Sequence, residues 1–124
     1  MYYLVKKMIK ANHKTHSSPS PSERAGVRSL NMGIIGAGSF ASFAAEAFLK
    51  VKGIKIIAVS DVNEQAAKQL TEELTANFYP VYEELLQENG IDLVYIATPP
   101  FSHYEISKNA LLAGKHVICE KPAA

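Results

Sequence analysis

Apolar residues in this chain change their spacing several times, and each change marks an element. Met32 to Ile35 is a largely apolar run that breaks at Gly36-Ala37-Gly38, and the run from Ser39 to Lys50 then carries apolar side chains nearly all round. Ile54 to Val59 is a β-branched run of strand length. Glu64 to Leu74 restores a helical period, with Ala66, Ala67, Leu70 and Leu74 on one face and charges opposite. A short strand near Phe78 and Tyr79 follows, then a helix at Tyr82 to Glu88 stopped by Asn89-Gly90, and a strand at Asp92 to Ala97. Ser102-His103-Tyr104-Glu105 has the spacing of a capping box and predicts a helix to Ala113, with Gly114 as its left-handed terminator. His116 to Cys119 reads as the last strand. The helix at 39–50, with Phe40, Phe43, Ala44, Ala47 and Phe48, is expected to be heavily buried.

Strands alternating with helices imply an α/β fold with a parallel sheet and helices on both faces, because right-handed crossovers place successive helices that way. The expected strand order is 3-2-1-4-5. Ligands of such a sheet bind beyond the carboxyl ends of the strands, where the order reverses. Three segments should meet there: Gly36 to Ala41, Ala97 to Pro100, and Cys119 to Pro122.

Charge divides the chain in two. The net charge of +1 over 124 residues hides six Lys/Arg against one acid in residues 1–29, and seven against eleven in residues 30–124. The first piece, with Lys6, Lys7, Lys10, Lys14 and the Ser17 to Ser22 Ser/Pro stretch, has no sustained period and reads as a disordered basic extension. Its apolar start is too short for a secretory signal, and its composition fits a solvated tail better than a transit peptide. Six cations without interleaved aromatics also favour a soluble tail over a nucleic-acid-binding arm. No run is long enough to span a bilayer, and a cytoplasmic location is expected. Cys119 is the single cysteine, which excludes an internal disulfide and offers no metal-site spacing.

Gly36-Ala37-Gly38-Ser39-Phe40-Ala41, at the junction of the first strand and helix, has the form of a dinucleotide-binding fingerprint. Gly36 permits the tight turn, Gly38 lets the backbone approach a pyrophosphate, and Ala41 keeps helix and strand close. The free N–H groups of the helix then hold the phosphates. Asp61 falls at the carboxyl end of the second strand, where a carboxylate accepts hydrogen bonds from both ribose hydroxyls and repels a 2′-phosphate. Val62 and Asn63 offer no offsetting cation, so NAD is favoured over NADP. The bland alternative for Asp61 is a turn or helix-capping residue. Together these features make residues 30–124 an incomplete Rossmann-type doubly wound domain.

Several segments taken together extend that reading. The glycine loop, Ser60-Asp61, Tyr82 to Leu86, Ile91 to Pro99, His103, Ala113 to Val117 and Glu120-Lys121-Pro122 resemble the N-terminal domain of the Gfo/Idh/MocA oxidoreductases, the group of glucose-fructose oxidoreductase and inositol dehydrogenase. The resemblance covers about residues 30 to 124, and Glu120-Lys121-Pro122 is its most specific element. It implies hydride transfer between a nicotinamide cofactor and a hydroxyl or carbonyl of a sugar, cyclitol or related small molecule. By the same resemblance Lys121 lies beside the nicotinamide and the reacting group, where an ammonium polarises a carbonyl or assists proton transfer. Ala97, Thr98 and Pro99 wall the cofactor pocket, His103 lies near it, and Glu120 and Pro122 help position the loop or touch the cofactor.

The family continues past this motif into a second α/β domain that binds substrate and usually carries the catalytic acid/base, whereas this chain stops at Ala124. The expectation is a chain that binds NAD weakly, turns over poorly without that domain, and leaves a sheet edge and a helix face uncovered, favouring self-association. Three readings remain open: the cofactor domain of an oxidoreductase, a non-catalytic NAD-binding sensor or interaction module, and a NAD-dependent glycosidase of the same superfamily.

Overall fold

β-branched and aliphatic runs supply the sheet. The computed structural model describes residues 2–5 as backbone and residues 29–120, with side chains to 119. The strands are β1 (Tyr2–Val5), β2 (Leu30–Ile35), β3 (Ile54–Ser60), β4 (Asn77–Tyr79), β5 (Leu93–Ile96) and β6 (His116–Glu120), and the helices are α1 (Ser39–Leu49), α2 (Glu64–Leu74), α3 (Tyr82–Leu86) and α4 (His103–Leu112). They form one sheet ordered β1-β6-β5-β2-β3-β4. Numbered from β2, the five parallel strands follow the expected 3-2-1-4-5 order.

β1 is an addition to that expectation. It pairs antiparallel with β6, from Tyr2 opposite Glu120 to Val5 opposite Val117, so four residues of the N-terminal extension are strand. The physical reason is that the outer edge of β6 offers unpaired backbone groups that template a partner strand. Consequently β6 is an inner strand, with β1 and β4 at the two margins of the sheet. Residues 6–28 of the extension lie outside the described residues.

Period-two alternation divides the core. Met32 and Ile34 of β2 and Leu93 and Tyr95 of β5 face one layer with α1 and α2, while Ile35, Val94 and Ile96 face the other with α3 and α4. In β3 the parity changes: register steps from Met32 opposite Ile56 to Gly33 opposite Ala58, leaving Ile57 as an extra residue. That bulge puts Ile56 in the first layer and Ala58 in the second. Fully burying each large aliphatic side chain here contributes about 1.5–3 kcal/mol. Tyr95 is itself fully buried and meets Phe48 edge to face, with ring centroids 5.4 Å apart.

α1 departs from the expected heavy burial. Ala41, Ala44 and Ala45 face the sheet, whereas Phe43 is 69% exposed and Phe40 61%. The small residues allow close approach of helix to sheet, and one packed face is all that a surface helix receives. α2 behaves as its period predicts, burying Ala67, Leu70 and Thr71. The capping box at Ser102 does not form. Ser102 makes no side-chain cap, because the 3₁₀ turn at Pro100–Ser102 runs into α4 and holds Ser102 at helical angles, φ −99° and ψ −4°, where a capping residue is extended; its Oγ donates to Thr98 Oγ1 at 2.7 Å and Pro99 O at 2.9 Å. α3 ends at Leu86, earlier than expected, while Gly114 takes the predicted positive φ of 87°.

Two polar side chains lock the turn before β5. Lys115 is only 6% exposed, and its Nζ donates to Glu88 O and Ile91 O, each at 2.8 Å. Tyr79 donates its hydroxyl proton to Glu88 Oε1 at 3.0 Å, and burial, then the Glu88 carboxylate, push its ionisation above the usual phenol range.

Replacing Lys115 with Met should lower unfolding stability by about 2–3 kcal/mol, read by urea denaturation, since two buried carbonyls lose a charged donor. Tyr79 has its folded pKa raised above the unfolded value of 10.0, so its contribution is complete below that pH and is lost as pH rises through the folded value. A Tyr79→Phe variant should therefore lose less stability than the parent chain on passing above pH 10, measured by chemical denaturation across that range.

Candidate functional site

The carboxyl ends of β2, β3 and β5 come together where the strand order reverses. Gly36 closes β2 with φ of 107°, and a Cβ there would lie 2.9 Å from both the carbonyl carbon and oxygen of Ala97. Glycine is needed twice over, for the backbone angle and for the approach of the β5 end. Gly36 N–H donates to Ser60 O at 2.7 Å and Ala97 N–H donates to Ile35 O at 2.8 Å, so the turn is bonded to both neighbouring strands.

Beyond these strand ends opens a cavity of about 1170 Å³. Its walls come from four segments: Gly36, Gly38, Ser39 and Phe40; Ser60 to Val62; Pro80 to Glu83; and Ala97 to His103. Gly38 faces open space, with nothing within 4 Å of the position a Cβ would take. α1 starts here, its first internal bond being Ser42 N–H to Gly38 O, and its first turn carries no acid. The preceding amides and the positive end of the helix therefore favour an anion.

Asp61 is half-buried at the end of β3. Oδ2 accepts the Ala37 N–H at 2.6 Å and Oδ1 accepts the Asn63 N–H at 2.8 Å. The cap of α2 is Asn63, whose side chain accepts from Ala66 N–H, so Asp61 is not spent on capping that helix. A carboxylate has about four lone-pair sites, so two remain for a ligand.

His103 is 7% exposed and its Nε2 lies 2.7 Å from Thr98 O. A carbonyl only accepts, so Nε2 carries a proton and donates it to Thr98 O. The buried Nδ1 has no partner among the described residues, and His103 lines the cavity. A buried ring nitrogen without a partner among the described residues, open space beside Gly38 and a carboxylate with spare lone pairs together fit a dinucleotide.

Of the site residues expected from sequence, Gly36, Gly38, Ser39, Phe40, Asp61, Ala97, Thr98, Pro99 and His103 share this cavity. Ala37 does not line it; it borders a smaller cavity of about 180 Å³ between α1 and α2 and acts here through its N–H. Glu120 ends β6, and Lys121 and Pro122 lie outside the described residues. Val62, Val81, Tyr82, Phe101 and Ile106 also line the cavity and were not foreseen. Phe101 had a usable signal: an aromatic following two prolines in the segment that leaves a strand at the ligand-binding edge.

The model of the Gfo/Idh/MocA oxidoreductase family, NAD-binding Rossmann fold, matches residues 30–124. This chain belongs to that family. Its described domain is the family's NAD(P)-binding Rossmann domain. The chain is 34% identical over 93 residues to glucose-6-phosphate 3-dehydrogenase of Bacillus subtilis, covering 75% of this chain and 26% of that protein. It is 32% identical over 105 residues to a glycosyl hydrolase family 109 protein of Streptomyces niveus, covering 77% and 21%. A 3-ketoreductase from Actinomadura kijaniata, solved with NADP and TDP-benzene, superposes with a TM-score of 0.72 at 32% identity, covering 76% of this chain and 30% of that one. The chain thus spans between a fifth and a third of the length of these relatives. Among the described residues no group of His, Cys, Asp and Glu could hold a metal ion, and no helix is long and apolar enough to cross a membrane.

Gly36→Ala should cost at least about 2 kcal/mol of stability, from the strained φ and the clash with the Ala97 backbone. Thermal unfolding of the variant beside Gly38→Ala checks this. The latter meets only open space and should unfold near the parent temperature.

Proposed function

We propose that the chain supplies the cofactor-binding part of an oxidoreductase that transfers hydride between NAD and a hydroxyl or carbonyl of a sugar, cyclitol or similar small molecule. The carrying observation is the Asp61 carboxylate, held by the Ala37 amide of the glycine turn at 2.6 Å with lone pairs to spare. In this reading Asp61 accepts from the adenosine ribose hydroxyls, and the Gly38, Ser39 and Phe40 backbone takes the pyrophosphate. Ala97, Thr98, Pro99 and His103 wall the nicotinamide end. When bound, the nicotinamide supplies the hydride donor or acceptor.

Lys121, directly after β6, is the proposed proton-transfer and carbonyl-polarising group, with Glu120 and Pro122 setting its loop. Substrate would be held between this domain and a second one, because hydride transfer requires the reactants positioned together. Cytoplasmic residence, a small-molecule substrate as partner and a homo-oligomeric assembly belong to the same proposal. NAD is preferred to NADP because a carboxylate at Asp61 repels a 2′-phosphate and no cation follows it in Val62-Asn63. A NAD-dependent glycosidase is the second reading, supported by the likeness to the family 109 glycosyl hydrolase.

Calorimetric titration of the chain with NAD and NADP tests the cofactor assignment. NAD should bind more tightly, and Asp61→Ala should weaken NAD about ten-fold while narrowing the gap to NADP. Absence of heat with both nucleotides on a folded sample would refute the reading.

A further inference from the structure

Phe101 combines a bare side chain with a stiff mount. Its ring is 88% exposed and lines the main cavity. A phenyl group left in water forgoes the stabilisation of burial, and a pliant loop would let it fold back on the apolar wall. Here the mount prevents that. Pro99 and Pro100 precede it with φ restricted by their rings, and Ser102 N–H donates to Pro99 O at 3.0 Å. Ser102 Oγ bonds with Thr98 Oγ1 and Pro99 O, and His103 Nε2–H donates to Thr98 O at 2.7 Å. Ser102 makes no side-chain cap on α4.

The order of the strand ends says what reaches this ring. Asp61 stands at the end of β3, the glycine turn at the end of β2, and the segment leading to Phe101 at the end of β5, the next strand across the sheet. A dinucleotide with its adenosine ribose on Asp61 and its phosphates on the glycine turn extends its second base toward β5. That base is nicotinamide, a flat ring whose face suits an aromatic partner.

We propose that Phe101 is the stacking platform for the nicotinamide ring, a positioning residue that orients the face of the cofactor. This rests on the dinucleotide reading of the cavity, and half of the cofactor separates the two claims. ADP-ribose retains the adenosine and pyrophosphate but lacks nicotinamide.

The test is titration of the full chain, Phe101→Ala and Phe101→Trp with NADH and with ADP-ribose. Phe101→Ala should weaken NADH about ten-fold, leaving ADP-ribose within two-fold of the parent. Phe43→Ala, an exposed phenyl on α1 away from the cavity, should change neither. The chain has no tryptophan, so Phe101→Trp installs a single indole whose emission should fall on adding NADH and hold on adding ADP-ribose. Unchanged NADH affinity in Phe101→Ala overturns the assignment, as does an equal loss for both ligands. Failure of the parent chain to bind ADP-ribose overturns the dinucleotide reading itself, and this proposal with it.

Discussion

The backbone contact between Gly36 and Ala97 governs the rest of the site. It draws the end of β2 so close to the end of β5 that a methyl group would not fit between them. The same turn is bonded to β3 through Ser60 O and the Asp61 carboxylate. Three strand ends are thereby held in one plane of approach, and the cavity beyond them inherits its floor. A shift of this turn would separate the Asp61 wall from the Thr98 wall and realign the α1 amides at once.

Several polar side chains at the site are not spent on capping the helices beside them. Asn63 caps α2, which leaves Asp61 to brace the glycine turn and keep lone pairs toward the cavity. Ser102 goes uncapped into α4 and instead ties Thr98 to Pro99. His103 spends one ring nitrogen on the Thr98 carbonyl, and the other has no partner among the described residues. A buried polar atom without a partner costs stability, and such a cost persists where a ligand can relieve it. The stabilising contacts lie elsewhere, in the two aliphatic layers and in the Lys115 bridge beneath the β5 turn.

The apolar surface is unevenly used. α1 turns its alanines to the sheet and its phenylalanines outward, so the helix contributes close packing inside and aromatic surface outside. At the opposite margin of the sheet, β1 continues the β6 ladder with antiparallel pairing and covers the edge next to the strand that ends in Glu120.

What the sequence by itself determined was the order and type of the elements, the 3-2-1-4-5 arrangement, the glycine turn and the position of Asp61 at a strand end. Those features rest on local periodicity, glycine conformational freedom and the handedness of crossovers, all of which act over a few residues or by rule. Tertiary structure decided which face of α1 is buried, since an all-apolar helix has no period to announce its packed side. It decided that Ser102 does not cap α4, because the folded 3₁₀ turn gives it helical backbone angles and brings Thr98 Oγ1 and Pro99 O to its hydroxyl. The Ile57 bulge, the β1 pairing, the Thr98 bond of His103 and the presentation of Phe101 belong to the same class. The bulge and the β1 pairing depend on strands distant in sequence, and the bonds of Ser102 and His103 on distances that only the folded turn sets.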